Sequence, residues 1–230
     1  MADNRITKSR VRNHLTYSWW KYLAAVITCA ILGNLYFTMT AYRPPADRKI
    51  ELYDVNDLVD QLAMEEDFWP VMKEACPEQE LFSVLNVNMT SEDPYVRMQF
   101  STYIAAQQGD VFLLPEKELL NMVEAGPEDV FLELTPYVEN GTIDPQDIDL
   151  ETGRFPDAAG NRGLYAIPAD SLYGLLNFGN NPRDSYLCVM AYSGNPDTAA
   201  KTIGLMLEKY KTEKPEGFEE RPQEVAAPIF

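Results

Sequence analysis

The run from Tyr22 to Tyr42 contains no Asp, Glu, Lys, Arg or His, and this absence constrains the chain more than any other feature. At about 1.5 Å per residue it makes a helix about 30 Å long, the thickness of a bilayer's hydrocarbon core. Its polar members, Thr28, Asn34, Thr38 and Thr40, carry no charge. Trp19, Trp20 and Tyr22 suit one membrane interface, and Tyr36 and Tyr42 the other. Before the run, Arg5, Lys8, Arg10, Arg12 and Lys21 face only Asp3, so the positive-inside rule places residues 1–21 in the cytoplasm and everything beyond Tyr42 outside. The expectation is a single-pass protein of the cell membrane: a basic cytoplasmic segment 1–21, a transmembrane helix 22–42 and an extracytoplasmic remainder. A cleaved signal peptide would also begin with basic residues, but its apolar stretch is usually shorter. Lipidation at Cys29 would leave only Tyr22 to Thr28 as the apolar stretch.

The remainder is strongly acidic. Five of the 19 Lys and Arg and one of the 36 Asp and Glu precede Tyr22, so the rest of the chain holds 14 positive against 35 negative side chains. Such a surface repels nucleic acid and anionic lipid. Residues 43–212 are enough for one domain with a real core, and 213–230 form an acidic, proline-containing tail. The domain has two cysteines, Cys76 and Cys188, and no Cys-x-x-Cys pair. Outside the cytoplasm they could form one disulfide, or remain free buried thiols. The single histidine, His14, precedes the apolar run, which leaves the domain without a histidine for a zinc site or a serine triad.

Pattern along the domain alternates strand and helix. Arg43-Pro44-Pro45 ends the first helix. Ile50 to Val55 reads as a strand, and Asn56 or Asp57 can cap a helix that places Leu58, Val59, Leu62, Phe68 and Trp69 on one face. Leu81 to Met89 is a second strand, followed from Asp93 or Pro94 to Gln108 by a helix with Tyr95, Met98, Tyr103 and Ile104 at helical period. Asp110 to Leu114 suits a strand buried on both faces, and Lys117 to Glu124 makes a third helix. Leu164 to Pro168 and Tyr186 to Tyr192 look like further strands, and Pro196 to Tyr210 is a clear amphipathic helix. This alternation predicts an α/β fold with a mostly parallel sheet covered by helices on both faces.

Several segments then resemble one family. Gly109-Asp110-Val111-Phe112-Leu113-Leu114 is similar to a "Gly-Asp, then apolar strand" step. Leu134-Thr135-Pro136-Tyr137, leading to Gly141-Thr142-Ile143-Asp144, resembles a "Leu-Thr-Pro-Tyr" stretch. Gly163-Leu164-Tyr165-Ala166-Ile167-Pro168 resembles "Gly-x-x-Tyr-Gly-Ile-Pro" with Ala166 in place of glycine, and Asn195-Pro196-Asp197-Thr198-Ala199 resembles an "Asn-Pro-x-x-Ala" helix start. Together, over about Lys49 to Lys211, they resemble the first lobe of bacterial extracellular solute-binding proteins, the type II periplasmic-binding-protein kind. In that family a second lobe follows the return strand; here only Ala169 to Arg183 separate it from the next strand, so the resemblance implies one lobe without its partner. It implies a binding role, with a small-molecule solute such as a sugar or peptide, or a membrane protein, as partner.

Ligands of open α/β sheets sit beyond the carboxyl ends of the strands, which selects Asp54, Asn88, Glu116, Asp170 and Ser193, with Tyr165 and Tyr192 as stacking surfaces. Each is also a common turn or capping residue. Glu65-Glu66-Asp67 and Asp144, Asp147 and Asp149 could pair for acid–base work, but so acidic a chain places carboxylates side by side without purpose. Asp144 to Glu151 is loosely like a calcium loop, without the glycine such a loop needs. No Gly-x-Ser-x-Gly or Gly-rich phosphate loop occurs. The expectation is a non-catalytic binding or interaction module that needs no cofactor and no metal, with a structural or assembly protein docking on a membrane transporter or envelope complex as the alternative.

Overall fold

The computed structural model describes residues 8–56, 58–89 and 93–216, and the chain divides into two units at Arg43–Pro44. The first unit is helix α1, Lys8–Thr40. Its Thr16–Thr40 part, mean hydropathy 1.7, is long and apolar enough to cross a membrane. Thr16, Thr38 and Thr40 turn their hydroxyls onto the carbonyls of Arg12, Asn34 and Tyr36 at 2.8 to 2.9 Å, which satisfies their donors within the helix.

The second unit is built on a five-stranded sheet. Its strands are β1 (Lys49–Asp54), β2 (Leu81–Asn86), β3 (Val111–Pro115), β6 (Ile167–Pro168) and β7 (Ser185–Val189), in the order β2-β1-β3-β7-β6. A separate hairpin pairs β4 (Arg154–Pro156) with β5 (Arg162–Leu164). β1 lies parallel to β2 and β3, whereas β7 runs antiparallel to both β3 and β6. Four strands therefore point one way and β7 the other, the mostly parallel sheet expected. The helices are α2 (Gln61–Ala75), α3 (Pro94–Ala105), α4 (Glu116–Val123), α5 (Pro127–Val130), α6 (Thr135–Glu139) and α7 (Pro196–Tyr210).

Side chains alternate across the sheet and feed two cores. Ile50, Leu52, Phe82, Val84, Val111, Leu113, Leu187 and Val189 face one side, where α2 contributes Met64, Phe68 and Met72 and α7 contributes Ile203, Met206 and Tyr210. Tyr53, Val55, Phe112, Leu114, Tyr186 and Cys188 face the other, against Phe100 of α3 and Leu119 of α4. Every residue of β7 is buried. Lys201 ties α7 to the end of α2 by donating from Nζ to the Ala75 carbonyl at 2.7 Å.

Two helices bury only part of the stripe the pattern suggests, Phe68 in α2 and Tyr103 and Ile104 in α3. In α2 the buried residues are Met64, Phe68 and Met72, while Leu58 and Leu62 stand 73% and 64% exposed. In α3 Val96, Phe100, Tyr103 and Ile104 pack on the sheet, leaving Tyr95 and Met98 in solvent. Each segment carries two apolar stripes, and the sheet selects one. The cap of α2 is Asp60, whose Oδ1 accepts the Ala63 N–H, rather than Asn56; Asp57 lies outside the described residues. The segment from Leu164 to Pro168 is two strands of two sheets. The Tyr165 and Ala166 amides both donate to the Gly153 carbonyl, and a Cβ on Gly153 would lie 1.8 Å from the Ala166 oxygen, so this switch of sheets requires glycine.

Phe68, fully buried, lies tilted against Phe82 with ring centres 4.9 Å apart and stacks on Tyr210 at 5.9 Å. Phe68→Ala is expected to lower unfolding free energy by about 3–5 kcal/mol, and Leu62→Ala by less than about 0.5 kcal/mol, measured by denaturant unfolding of the full chain.

Candidate functional site

The carboxyl edge of the sheet is where the α/β rule looks for a ligand, and the chain itself occupies that edge above β1. Asp54, the last residue of β1, is fully buried. Its Oδ1 accepts the Asn56 N–H at 3.1 Å and its Oδ2 accepts the side-chain amide of Asn180, also fully buried. Asn180 belongs to the link between β6 and β7, residues 169–184, which we call the strap. The strap holds one 3-10 helix, Tyr173–Phe178, and turns at Gly179 in the left-handed conformation, φ 88°. A Cβ there would lie 3.0 Å from the Leu58 carbonyl oxygen. The Asp60 N–H donates to the Phe178 carbonyl at 2.9 Å, so the strap and the loop entering α2 hold each other. Two amide atoms of this cluster, Asn56 Nδ2 and Asn180 Oδ1, have no hydrogen-bond partner among the described residues.

Burial pushes the Asp54 carboxyl up to about 7, opposed only by the hydrogen bonds from Asn56 and Asn180. No cation among the described residues offsets the cost of holding a charge there, and desolvation therefore dominates.

Further along the edge, beyond β6, lies a shallow pocket of about 250 Å³ lined by Asp147, Asp149, Thr152, Asp170, Ser171 and Lys211. Lys211 is ion-paired to Asp147, and Asp170 Oδ1 accepts the Asp184 N–H at 2.8 Å. This volume falls below the usual range of small-molecule sites. Glu116 is exposed at the start of α4, and its amide donates to the Asp184 carbonyl at 2.7 Å. Asn88 is half-buried beyond β2.

Three of the seven expected site residues lie at the opposite end. β7 is antiparallel, so Tyr192 and Ser193, which follow it, stand at the amino edge. There the Tyr192 hydroxyl donates to the Gln108 carbonyl at 2.9 Å, and Ser193 Oγ donates to Asp110 Oδ1 at 2.6 Å. Asp110 also accepts the Glu51 N–H at 2.9 Å, and burial raises its carboxyl above the ordinary value. Tyr165 precedes β6, which places it on the same side, and it is buried within a core. Tyr165 and Tyr192 therefore do not share an edge with Asp170. Asn180, which reaches the buried end of β1, stood in sequence only as one more turn residue.

The other candidates resolve locally. Asp144 and Asp149 accept the amides two residues on, Gln146 and Glu151, at 2.9 and 3.0 Å, which are Asx turns. No group of three or more His, Cys, Asp or Glu among the described residues is placed to hold a metal ion. Phe68 is core and Trp69 is half-buried beneath Lys73, whose Nζ lies 5.6 Å from the ring centre. Cys76 and Cys188 are both buried and both free, so the disulfide is not formed. Burial raises both thiols above their ordinary value.

Comparison with known proteins finds no matching family model and no matching curated protein. Among solved structures the chain is similar to the substrate-binding protein Lmo0181 of Listeria monocytogenes in complex with cycloalternan, at 17% identity and TM-score 0.38 over 51% of this chain and 28% of that one. It is similar to a family 1 extracellular solute-binding protein of Alicyclobacillus acidocaldarius at 17% identity and TM-score 0.35, over 55% and 29%. It is also similar to the N-glycan transport solute-binding protein of Streptococcus pneumoniae at 17% identity and TM-score 0.37, over 54% and 26%. This chain thus spans under a third of the length of each.

In the folded full chain, iodoacetamide is expected to leave Cys76 and Cys188 unlabelled and to label both in denaturant, with a non-reduced mass equal to the reduced one. Ser193→Ala, which strips a donor from buried Asp110, is expected to cost about 1–2 kcal/mol of stability in denaturant unfolding.

Proposed function

We propose that this chain is a membrane-anchored, non-catalytic interaction module whose extracytoplasmic α/β unit docks on a membrane protein partner, such as a transporter or envelope complex. α1 serves as the single span, with the amino terminus in the cytoplasm. The observation that carries the reading is the strap: the chain's own Asn180 fills the position above β1 where an open α/β sheet would offer room for a solute.

The exposed apolar side chains point the same way. Among the described residues of the α/β unit, Leu58, Leu62, Leu81, Tyr95, Met98 and Leu120 are the exposed large ones. All but Leu81 lie in the first two turns of α2, α3 and α4 or in the loop before α2. Those turns follow β1, β2 and β3 and so rise from the carboxyl edge. Single exposed apolar residues are ordinary; these are divided between the α2 layer and the α3 and α4 layer, and a protein partner seated across the carboxyl edge would reach both. The acidic unit favours a partner whose contact surface is rimmed by Lys or Arg.

A second reading, capture of a small solute such as a sugar or peptide, rests on the pocket beside Asp170 and Lys211.

A photo-crosslinking residue placed at position 62 or 95 of the full chain, in its native membrane, is expected to give the same discrete adduct, with none from position 139 on α6. Met98→Asp should remove the adduct. Absence of any adduct, together with a thermal shift of several degrees produced by one class of saccharide or peptide, would favour the solute reading.

A further inference from the structure

We propose that Asp54 and Asn180 form a proton-controlled latch: with Asp54 protonated the strap stays closed over the carboxyl end of β1, and ionisation of Asp54 loosens it.

The geometry supplies the parts. A fully buried carboxyl ends the interior strand β1 and accepts a hydrogen bond from one side chain among the described residues, Asn180, contributed by the strap. No ionised side chain among the described residues acts on it. β2 presents Asn86, whose Nδ2 donates to the Asp54 carbonyl at 3.2 Å. β3 sets Leu113 beside it in register, its own loop offers the Asn56 amide, and the strap offers Asn180. A charged Asp54 is therefore a buried anion held by two neutral donors, an arrangement water would relieve.

Asn180 can serve both protonation states. With Asp54 ionised, Nδ2 donates to it. With Asp54 protonated, the amide turned over presents its unpartnered Oδ1 to the Asp54 hydroxyl. Only the second state leaves no buried charge. Closed, the carboxyl holds its proton up to about pH 7, against an ordinary value of 3.8. The closed form thus binds the proton more tightly than a hydrated, open form. Its advantage is complete in acid, is lost as pH rises through that interval, and changes no further above it.

Opening has a defined reach. The Asp60 N–H is held by the Phe178 carbonyl, and Gly179 packs on the Leu58 carbonyl. Releasing the strap therefore frees the loop that carries Leu58 and leads to Leu62. Control of partner docking through that loop rests on the docking reading; the latch itself does not.

Native-state hydrogen exchange of the full chain in detergent, at pH 5.5 and pH 8 and corrected for intrinsic rates, tests the latch. The Asp60 and Asn180 amides are expected to lose roughly thirtyfold protection at the higher pH, while Leu187 and Val189 of β7 change much less. Asp54→Asn should hold the strap's protection equal at both pH values, and Asn180→Ala should lower it at both. Equal protection of the wild type at the two pH values would overturn the latch, as would a pH response that survives in Asp54→Asn or a loss shared equally by β7. Should Asp54→Asn fail to fold, the wild-type comparison against β7 decides alone. Exchange reads the strap and crosslinking reads the partner, so either idea can fail without the other.

Discussion

The antiparallel pairing of β7 with β3, in register from Val111 with Val189 to Pro115 with Ser185, fixes most of what distinguishes this unit. A strand entering the middle of a parallel sheet against its direction must begin at the carboxyl edge and finish at the amino edge. The chain therefore crosses the carboxyl edge between β6 and β7, and the crossing is the strap. It leaves at the amino edge, where Ser193 meets Asp110. The links before and after β7 each meet an aspartate, Asp54 at the end of β1 and Asp110 just before β3. Asp54 accepts a backbone amide from Asn56 and the side chain of Asn180; Asp110 accepts a backbone amide from Glu51 and the hydroxyl of Ser193.

The two aspartates differ in their surroundings, and that difference separates structure from switching. Asp110 is 7% exposed and feels the Lys49 ammonium as well as the Glu51 carboxylate. Asp54 is sealed and has no cation. A carboxyl in the first setting has a cation and hydrogen bonds to set against desolvation and acts as a clip. A carboxyl in the second remains closed in comfort only while it is neutral.

Much of the fold was legible because its elements announce themselves through local pattern. Pro196 at the first turn and the apolar residues at helical spacing place α7 over the residues expected of it, and the buried run Val111 to Leu114 reads as a central strand. The direction of β7 was not legible, because an apolar run such as Tyr186 to Val189 reads the same either way. From that single unknown follow the misplaced Tyr192 and Ser193. The faces of α2 and α3 were legible only in part: Phe68, Tyr103 and Ile104 pack inward as expected, but Leu58, Leu62, Tyr95 and Met98 are as apolar as the residues that are buried, and only the position of the sheet decides between stripes. Of the candidate site, Asp54 was legible as a strand-end carboxylate. Its partner was not, since nothing in the turn-rich stretch around Asn180 marks one asparagine for the core.

A solute trap gains affinity by surrounding its ligand, and small-molecule sites bury most of the surface of what they hold. A shallow pocket of about 250 Å³ on one side of a sheet cannot surround a sugar chain or a peptide without a second wall. A protein partner needs no such enclosure. It needs about 800 Å² of complementary surface on each side, with apolar anchors at its centre; on the proposed docking reading, Leu58, Leu62, Tyr95, Met98 and Leu120 are the exposed apolar side chains from which such anchors would be drawn. The surplus of carboxylates adds selection at longer range, since it repels acidic surfaces before contact and speeds encounter with basic ones, an effect that fades as salt rises. The same surplus disfavours pairing of two such units edge to edge.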